Sequence, residues 1–151
     1  MKALYFTGDS IVDSADIEVP SPGKGEVVLQ MKASGVCGSD LKNFRASKLE
    51  KAVLDDLKVP GHEPVGIVSE LGEGVTNVTV GDRIMMHHYT GCLQCSMCLI
   101  GYTQMCLVHH EVYGSTAHGG HQEYMLVPSY TCIPMRSEEH TSNSSHSEIS
   151  Y

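Results

Sequence analysis

The chain has 151 residues, with ten Lys and Arg against eighteen Asp and Glu, for a formal net charge of −8. That length is one ordinary domain able to bury a core, and the acidic balance excludes the basic footprint of a DNA- or RNA-binding surface. No apolar run is long enough to span a membrane, and MKALYFTGDS has neither the apolar core nor the cleavage site of a signal peptide, so a cytoplasmic protein is expected.

Taken in chain order, the pattern is that of short strands punctuated by Pro and Gly. Residues 2–6 lean apolar and read as a first strand. Pro20, Pro22, Gly23 and Gly25 mark a turn, after which residues 26–34 alternate. Val27, Leu29, Met31 and Ala33 are expected on one face, with Val28, Gln30 and Lys32 on the other. Residues 39–46 and 48–58 carry helical spacing, with Ser47 a candidate cap for the second. PVGIVSEL at 64–71 is a further strand, closed by a turn at Gly72 to Gly74. Gly81 and Asp82 turn into a strand at 83–86, and 123–127 is a late strand closed by Pro128. The segment 136–151, RSEEHTSNSSHSEISY, has almost nothing to bury and is expected to be a disordered tail whose His140 and His146 carry no role.

Six cysteines need a reason. Without a signal peptide a secreted disulfide framework is disfavoured, and four of them crowd into C-x2-C-x2-C-x7-C at Cys92, Cys95, Cys98 and Cys106. Two-residue spacers let consecutive thiolates turn to one centre, and the longer spacer closes the fourth corner. Gly91 and Gly101 free the backbone for the compact loop this requires. Four soft ligands with no open position are the pattern of a structural zinc site. The runs that hold iron–sulfur clusters are spaced differently. Cys132, the leftover thiol, reads as a buried apolar residue.

Cys37 in GVCGSD and the His62–Glu63 pair in PGHEPVG are weaker signals alone. A Cys in a β-domain is usually a small buried hydrophobe, and a single His a satisfied polar group. Their order is more telling. GVCGSD, then GHE, VGDRI, the four-cysteine loop and HGGHQEY together resemble the zinc-containing medium-chain alcohol and polyol dehydrogenases over residues 1–135. The resemblance implies a mainly β fold with short helices: a GroES-like β-barrel at 1–135 with an extruded structural-zinc lobe at about 91–107. It also implies a catalytic zinc on Cys37 and His62 with Glu63 beside it, and NAD(P) as cofactor. Asp40 would fix the far nitrogen of His62, Ser39 would take the alcohol proton, and His88 would face the substrate pocket, whereas His87 reads as a strand-end residue. The implied reaction oxidises the CH–OH group of a small alcohol or polyol by zinc-alkoxide formation and hydride transfer to the nicotinamide. His109, His110, His118 and His121 read as loop residues without convergent spacing.

Two departures shape the expectation. Many relatives have a relaying His five residues after the ligand Cys. Here that position is Lys42, charged at neutral pH and a poor acceptor, which leaves water or a cofactor hydroxyl to relay the proton. No G-x-G-x-x-G follows a strand, and no third fixed ligand for the catalytic zinc follows Val127. The expectation is a domain truncated before its Rossmann partner, binding zinc but inactive alone. The alternative is a non-catalytic zinc-binding fragment with no independent function. A zinc-ribbon nucleic-acid module would need two separated knuckles on a basic domain, and a co-chaperonin has no use for the cysteine loop or GHE.

Overall fold

The computed structural model describes residues 1–47 and 57–135. The tail at 136–151 and most of the helix expected at 48–58 lie outside the described residues, and residues 57 and 58 are not helical.

β1 (Lys2–Gly8) and β2 (Ile11–Asp16) form an antiparallel hairpin. Its two-residue loop, Asp9 and Ser10, has φ of 50° and 61°, the left-handed pair that matches strand twist. β2 is absent from the sequence reading for a physical reason: all six of its residues are exposed, so burial imposes no alternation on it.

β3 (Glu26–Gly35), β4 (Glu63–Leu71), β5 (Arg83–Met86), β6 (Tyr124–Pro128) and β7 (Cys132–Pro134) make an antiparallel sheet in the order β6-β3-β4-β5-β7. The hairpin joins at the β6 end, where Leu4 N–H donates to His121 O at 2.9 Å and Glu123 N–H donates to Lys2 O at 3.1 Å. The helices are short, α1 (Asp40–Phe44) and α2 (Ser96–Leu99), with 3-10 turns at Thr103–Met105 and Ser129–Thr131. The expected mainly β fold with short helices is the one found.

The core gathers Val27 and Leu29 of β3, Val68 of β4, Ile84 and Met86 of β5, and Met125 and Val127 of β6. The alternation expected for β3 holds from Val27 to Met31, with Val27 and Leu29 in the core cluster and Met31 packed against it, and fails at Ala33. Val28 is buried together with Val27 and Leu29, and Ala33 is exposed. The β3–β4 register shifts between Val28 and Leu29 and again between Met31 and Ala33, and such bulges re-aim the side chains that follow. At the first shift the extra residue is Ser69, whose hydroxyl donates to Val28 O at 3.0 Å.

Tyr113 and Cys132 also belong to this core. Burial pushes the Cys132 thiol from 9.0 up to about 11 and raises the Tyr113 phenol as well. In the unfolded chain both ionise at their ordinary values, so alkali draws protons from the unfolded state first. The stability from keeping the Cys132 thiol neutral is complete below pH 9.0 and lost as pH rises through about 11. Urea midpoints are expected to fall across that window, and Cys132→Val is expected to flatten the fall.

Candidate metal centres

The end of β3 meets the start of β4 at the pair Gly35–Glu63. Cys37, just past that end, and His62, just before that start, are thereby brought face to face. The ligand atoms of Cys37, His62 and Glu63 all lie within 4.8 Å of one another. Gly35 permits this, because a Cβ there would run into the Glu63 carboxylate.

α1 then sets the groups around them. Its first residue, Asp40, is buried. Asp40 Oδ2 accepts from Cys37 N–H at 2.8 Å, and Oδ1 lies 3.5 Å from His62 Nδ1. A carboxylate on Nδ1 holds the imidazole with Nε2 free to act as a donor atom. Ser39 Oγ is 3.4 Å from that Nε2, whose single lone pair serves either the hydroxyl or a cation. The Ser39 N–H, then the Ser39 hydroxyl and His62, hold the Cys37 thiol below its ordinary value, toward the thiolate that ligates. The far end of α1 is pinned by the hairpin. Ser10 N–H donates to Phe44 O at 2.8 Å and Asp9 N–H to Ala46 O at 2.7 Å, satisfying carbonyls that a helix end leaves without partners. Phe6 packs edge-on to Phe44 with ring centroids 5.9 Å apart.

The loop before β6 buttresses the other side. Gly119 N–H donates to Val59 O at 2.7 Å, Gly120 N–H to Gly61 O at 2.7 Å and His121 N–H to Pro60 O at 3.0 Å. The two backbones touch, so that a Cβ on Gly119 would strike the Gly61 carbonyl. This is the reason for the glycines of HGGHQEY: they let the chain lie against the segment that ends in His62. His118 and His121 belong to the same buttress. His118 Nδ1 accepts from Val59 N–H at 3.2 Å, and the His121 ring lies 5.9 Å from that of Phe6. Burial lowers the pKa of both imidazoles. They do more than the loop role read from their spacing; His109 and His110 are exposed.

The second group is the lobe. The Sγ atoms of Cys92, Cys95, Cys98 and Cys106 lie within 4.8 Å of one another, and all six cysteines are free. Cys95 Sγ and Cys106 Sγ are 3.9 Å apart, against about 3.8 Å for two corners of a tetrahedron with Zn–S near 2.3 Å. Amides already point at these sulfurs: Cys95 N–H to Cys92 at 3.3 Å, and Cys92 N–H and His109 N–H to Cys106 at 3.4 Å each. Backbone N–H groups, that of Cys92 foremost, bring the Cys106 thiol down to about 6, whereas burial pushes Cys98 up to about 12. Four sulfurs this close cannot all ionise without a cation among them, and a zinc ion fits the donor set. The expected irregular loop contains α2 and one 3-10 turn. The lobe is tied to the sheet by Gly91 N–H donating to the Tyr130 hydroxyl at 3.2 Å and by a 3.3 Å contact between His87 Nε2 and Thr103 Oγ1.

His88 lies beside the first group, its ring 5.4 Å from that of His62 and 4.3 Å from that of Tyr89. Burial lowers its pKa, leaving it neutral near pH 7. The exposed His87 points instead toward the lobe. Ser39, Asp40, Lys42, His62, His88 and Tyr89 line one cleft of about 320 Å³. Among the described residues no other His, Cys, Asp or Glu joins the first donor group.

A family model for the alcohol dehydrogenase GroES-like domain matches residues 23–137. The chain belongs to that family. Among relatives of this alcohol dehydrogenase domain, an uncharacterized zinc-type alcohol dehydrogenase-like protein of Escherichia coli K12, YphC, is 36% identical over 132 residues, covering 83% of this chain and 37% of the relative. Among solved structures, galactitol-1-phosphate dehydrogenase from Escherichia coli superposes with a TM-score of 0.79 at 26% identity, over 94% of this chain and 40% of that one. The rspB alcohol dehydrogenase of Escherichia coli CFT073, complexed with NADH, gives 0.76 at 30% identity, over 91% and 39%. The chain therefore spans about 37% of the length of the curated relatives it matches. No helix among its described residues is long and apolar enough to cross a membrane.

Proposed function

We propose that this chain is the metal-carrying catalytic part of a zinc-dependent alcohol or polyol dehydrogenase, comprising residues 1–135 with the lobe at 91–107, and that by itself it binds zinc without turning over alcohol. The convergence of Cys37, His62 and Glu63 beside the Asp40–His62 pair carries the reading. A thiolate, an imidazole and a carboxylate make a borderline-soft donor set suited to zinc, and it borders a cleft. A zinc ion there supplies Lewis acidity that lowers the pKa of a substrate hydroxyl. The chain's own residues do the rest. Asp40 keeps the His62 ring turned so that Nε2 faces the cleft. The Ser39 hydroxyl receives the substrate's proton on Oγ and passes its own onward. Neutral His88 orients the alcohol through a hydrogen bond, and Lys42 stands at the cleft where relatives place a relaying His. NAD(P), where bound, would supply the acceptor for the carbinol hydride. The four cysteines of the lobe would hold a second zinc, which they can ligate without a substrate position.

Metal content and redox assay test this together. The purified chain is expected to hold two zinc ions, one per donor group. His62→Ala is expected to lose one of them with its unfolding transition in place, because half-buried His62 contributes little to the core. Neither protein is expected to reduce NAD(P) with alcohol. A parent free of zinc, or one that turns over alcohol alone, would overturn the proposal.

A further inference from the structure

We propose that Lys42 makes the cleft beside His62 a site for a small polyol that carries an anionic group, phosphate or carboxylate, close to the hydroxyl being oxidised. The inference rests on the dehydrogenase reading above and names its substrate class. Ser39 is the N-cap of α1, and Lys42 stands three residues on, its N–H donating to Ser39 O at 3.3 Å. Residues three apart on a helical turn share a face. The lysine stem therefore rises beside the hydroxyl assigned to receive the substrate's proton, and both residues line the cleft with His62 and His88. Asn43 and Ser115 line it too, and their amide and hydroxyl are further hydrogen-bond donors.

Charge decides what the cleft prefers. Asp40 and Lys42 are the only Asp, Glu, Lys or Arg residues among the described lining. Asp40 is buried and already engaged, with Oδ2 on Cys37 N–H at 2.8 Å and Oδ1 3.5 Å from His62 Nδ1. Glu63 reaches the site from the metal side, where a cation among Cys37, His62 and Glu63 would offset its charge. Lys42 is exposed and takes part in neither ion pair formed among the described residues. The charge left open to a ligand is thus positive, in a chain whose net charge is −8. An ammonium is a compact point charge that takes a phosphate or a carboxylate readily, whereas a neutral alcohol gains little from it. The cleft holds about 320 Å³, on the order of ten water volumes at about 30 Å³ each. That leaves room for a polyol with an anionic group attached.

The test is a set of titrations of the zinc-loaded chain with glycerol, glycerol 3-phosphate, glycerate and NAD+, followed by the imidazole NMR signals of His62 and His88. At low ionic strength at least one of the two anionic polyols is expected to bind roughly tenfold tighter than glycerol, and the tighter of them names the group. The preference should shrink as salt is raised. Lys42→Met should abolish it with zinc content unchanged, and Lys42→Arg should keep it. Lys24→Met, at an exposed position outside the cleft, should leave it at the parent value. Equal affinities for glycerol and both anions would overturn the proposal. So would a preference that survives Lys42→Met, which would put the anion on the metal, or a loss in that variant as large for NAD+ as for the anionic polyol, which would assign the lysine to the cofactor. The zinc count in the same samples keeps the two readings apart. Two bound zinc ions, one per donor group, without the preference would sink the substrate class alone. The preference without zinc would support the anion site and sink the dehydrogenase.

Discussion

Replacing Cys106 with serine is expected to cost the chain one bound zinc and to unfold the lobe, while the sheet persists. The lobe has almost no apolar interior, Cys98 being the one buried residue between positions 91 and 108. On the proposed reading its cohesion comes from metal, since a structural zinc supplies on the order of 10 kcal/mol of binding free energy that is also folding free energy. Cys106 is the corner with most support, receiving the N–H groups of both Cys92 and His109. A serine there is a harder and shorter donor that zinc binds poorly. The measurement is zinc per chain together with protease cleavage inside 91–108, which should speed up by at least about tenfold as the lobe opens. The calorimetric transition of the core around Leu29, Ile84 and Met125 should stay in place. Parent-like resistance with no metal bound would show that thiol packing alone holds the lobe.

The second large effect is expected from a single methyl group. In Gly119→Ala the new Cβ would face the Gly61 carbonyl, Gly114 Cα at 2.7 Å and the Pro60 carbonyl at 2.7 Å. All three are backbone and none can rotate away. The segments must part, breaking the bonds from Gly119 and Gly120 to Val59 and Gly61. Overpacking and lost hydrogen bonds together should destabilise the chain by about 2–4 kcal/mol. The zinc held at His62 should go with them, because Gly61 is the residue before that ligand. Gly25→Ala is the control. Its φ of +76° makes the substitution strained, but nothing lies within 4 Å, so the cost should be nearer 1 kcal/mol and both metals should stay. Equal effects at the two positions would mean that the buttress does not position the site.

The sequence exposed what burial or metal geometry had written into it. The strands at 64–71 and 83–86 were legible because apolar runs bounded by Gly and Pro leave few alternatives, and their boundaries nearly coincide with β4 and β5. The two donor groups were legible because Cys spacing and motif order are chemical constraints. β2 was not legible, since a fully exposed strand has no hydrophobic pattern to display. β7 was missed because three residues ending in Pro134 are too few to carry a period. The exposure of Ala33 was missed because a bulge is a property of two strands at once, and one strand's sequence cannot display it. The glycines of HGGHQEY stood out as a motif, but their work is done across a contact between positions some sixty residues apart, Gly119 with Val59 and Gly61. Their spacing alone gives no sign of that contact.

The two centres also differ in when they can come into being. The lobe's four sulfurs lie within one short run of chain and need only local turns to converge, which costs little loop-closure entropy. Cys37 and His62 meet only after β3 and β4 have paired as far as Gly35 and Glu63. Capture of metal by the cysteines can therefore precede the sheet, during synthesis or early collapse, and hold that stretch while the slower long-range pairing proceeds. Cys37, His62 and Glu63 come together only at the end of that process. When zinc is scarce, the four cysteines of the lobe are expected to take it before Cys37 and His62 do.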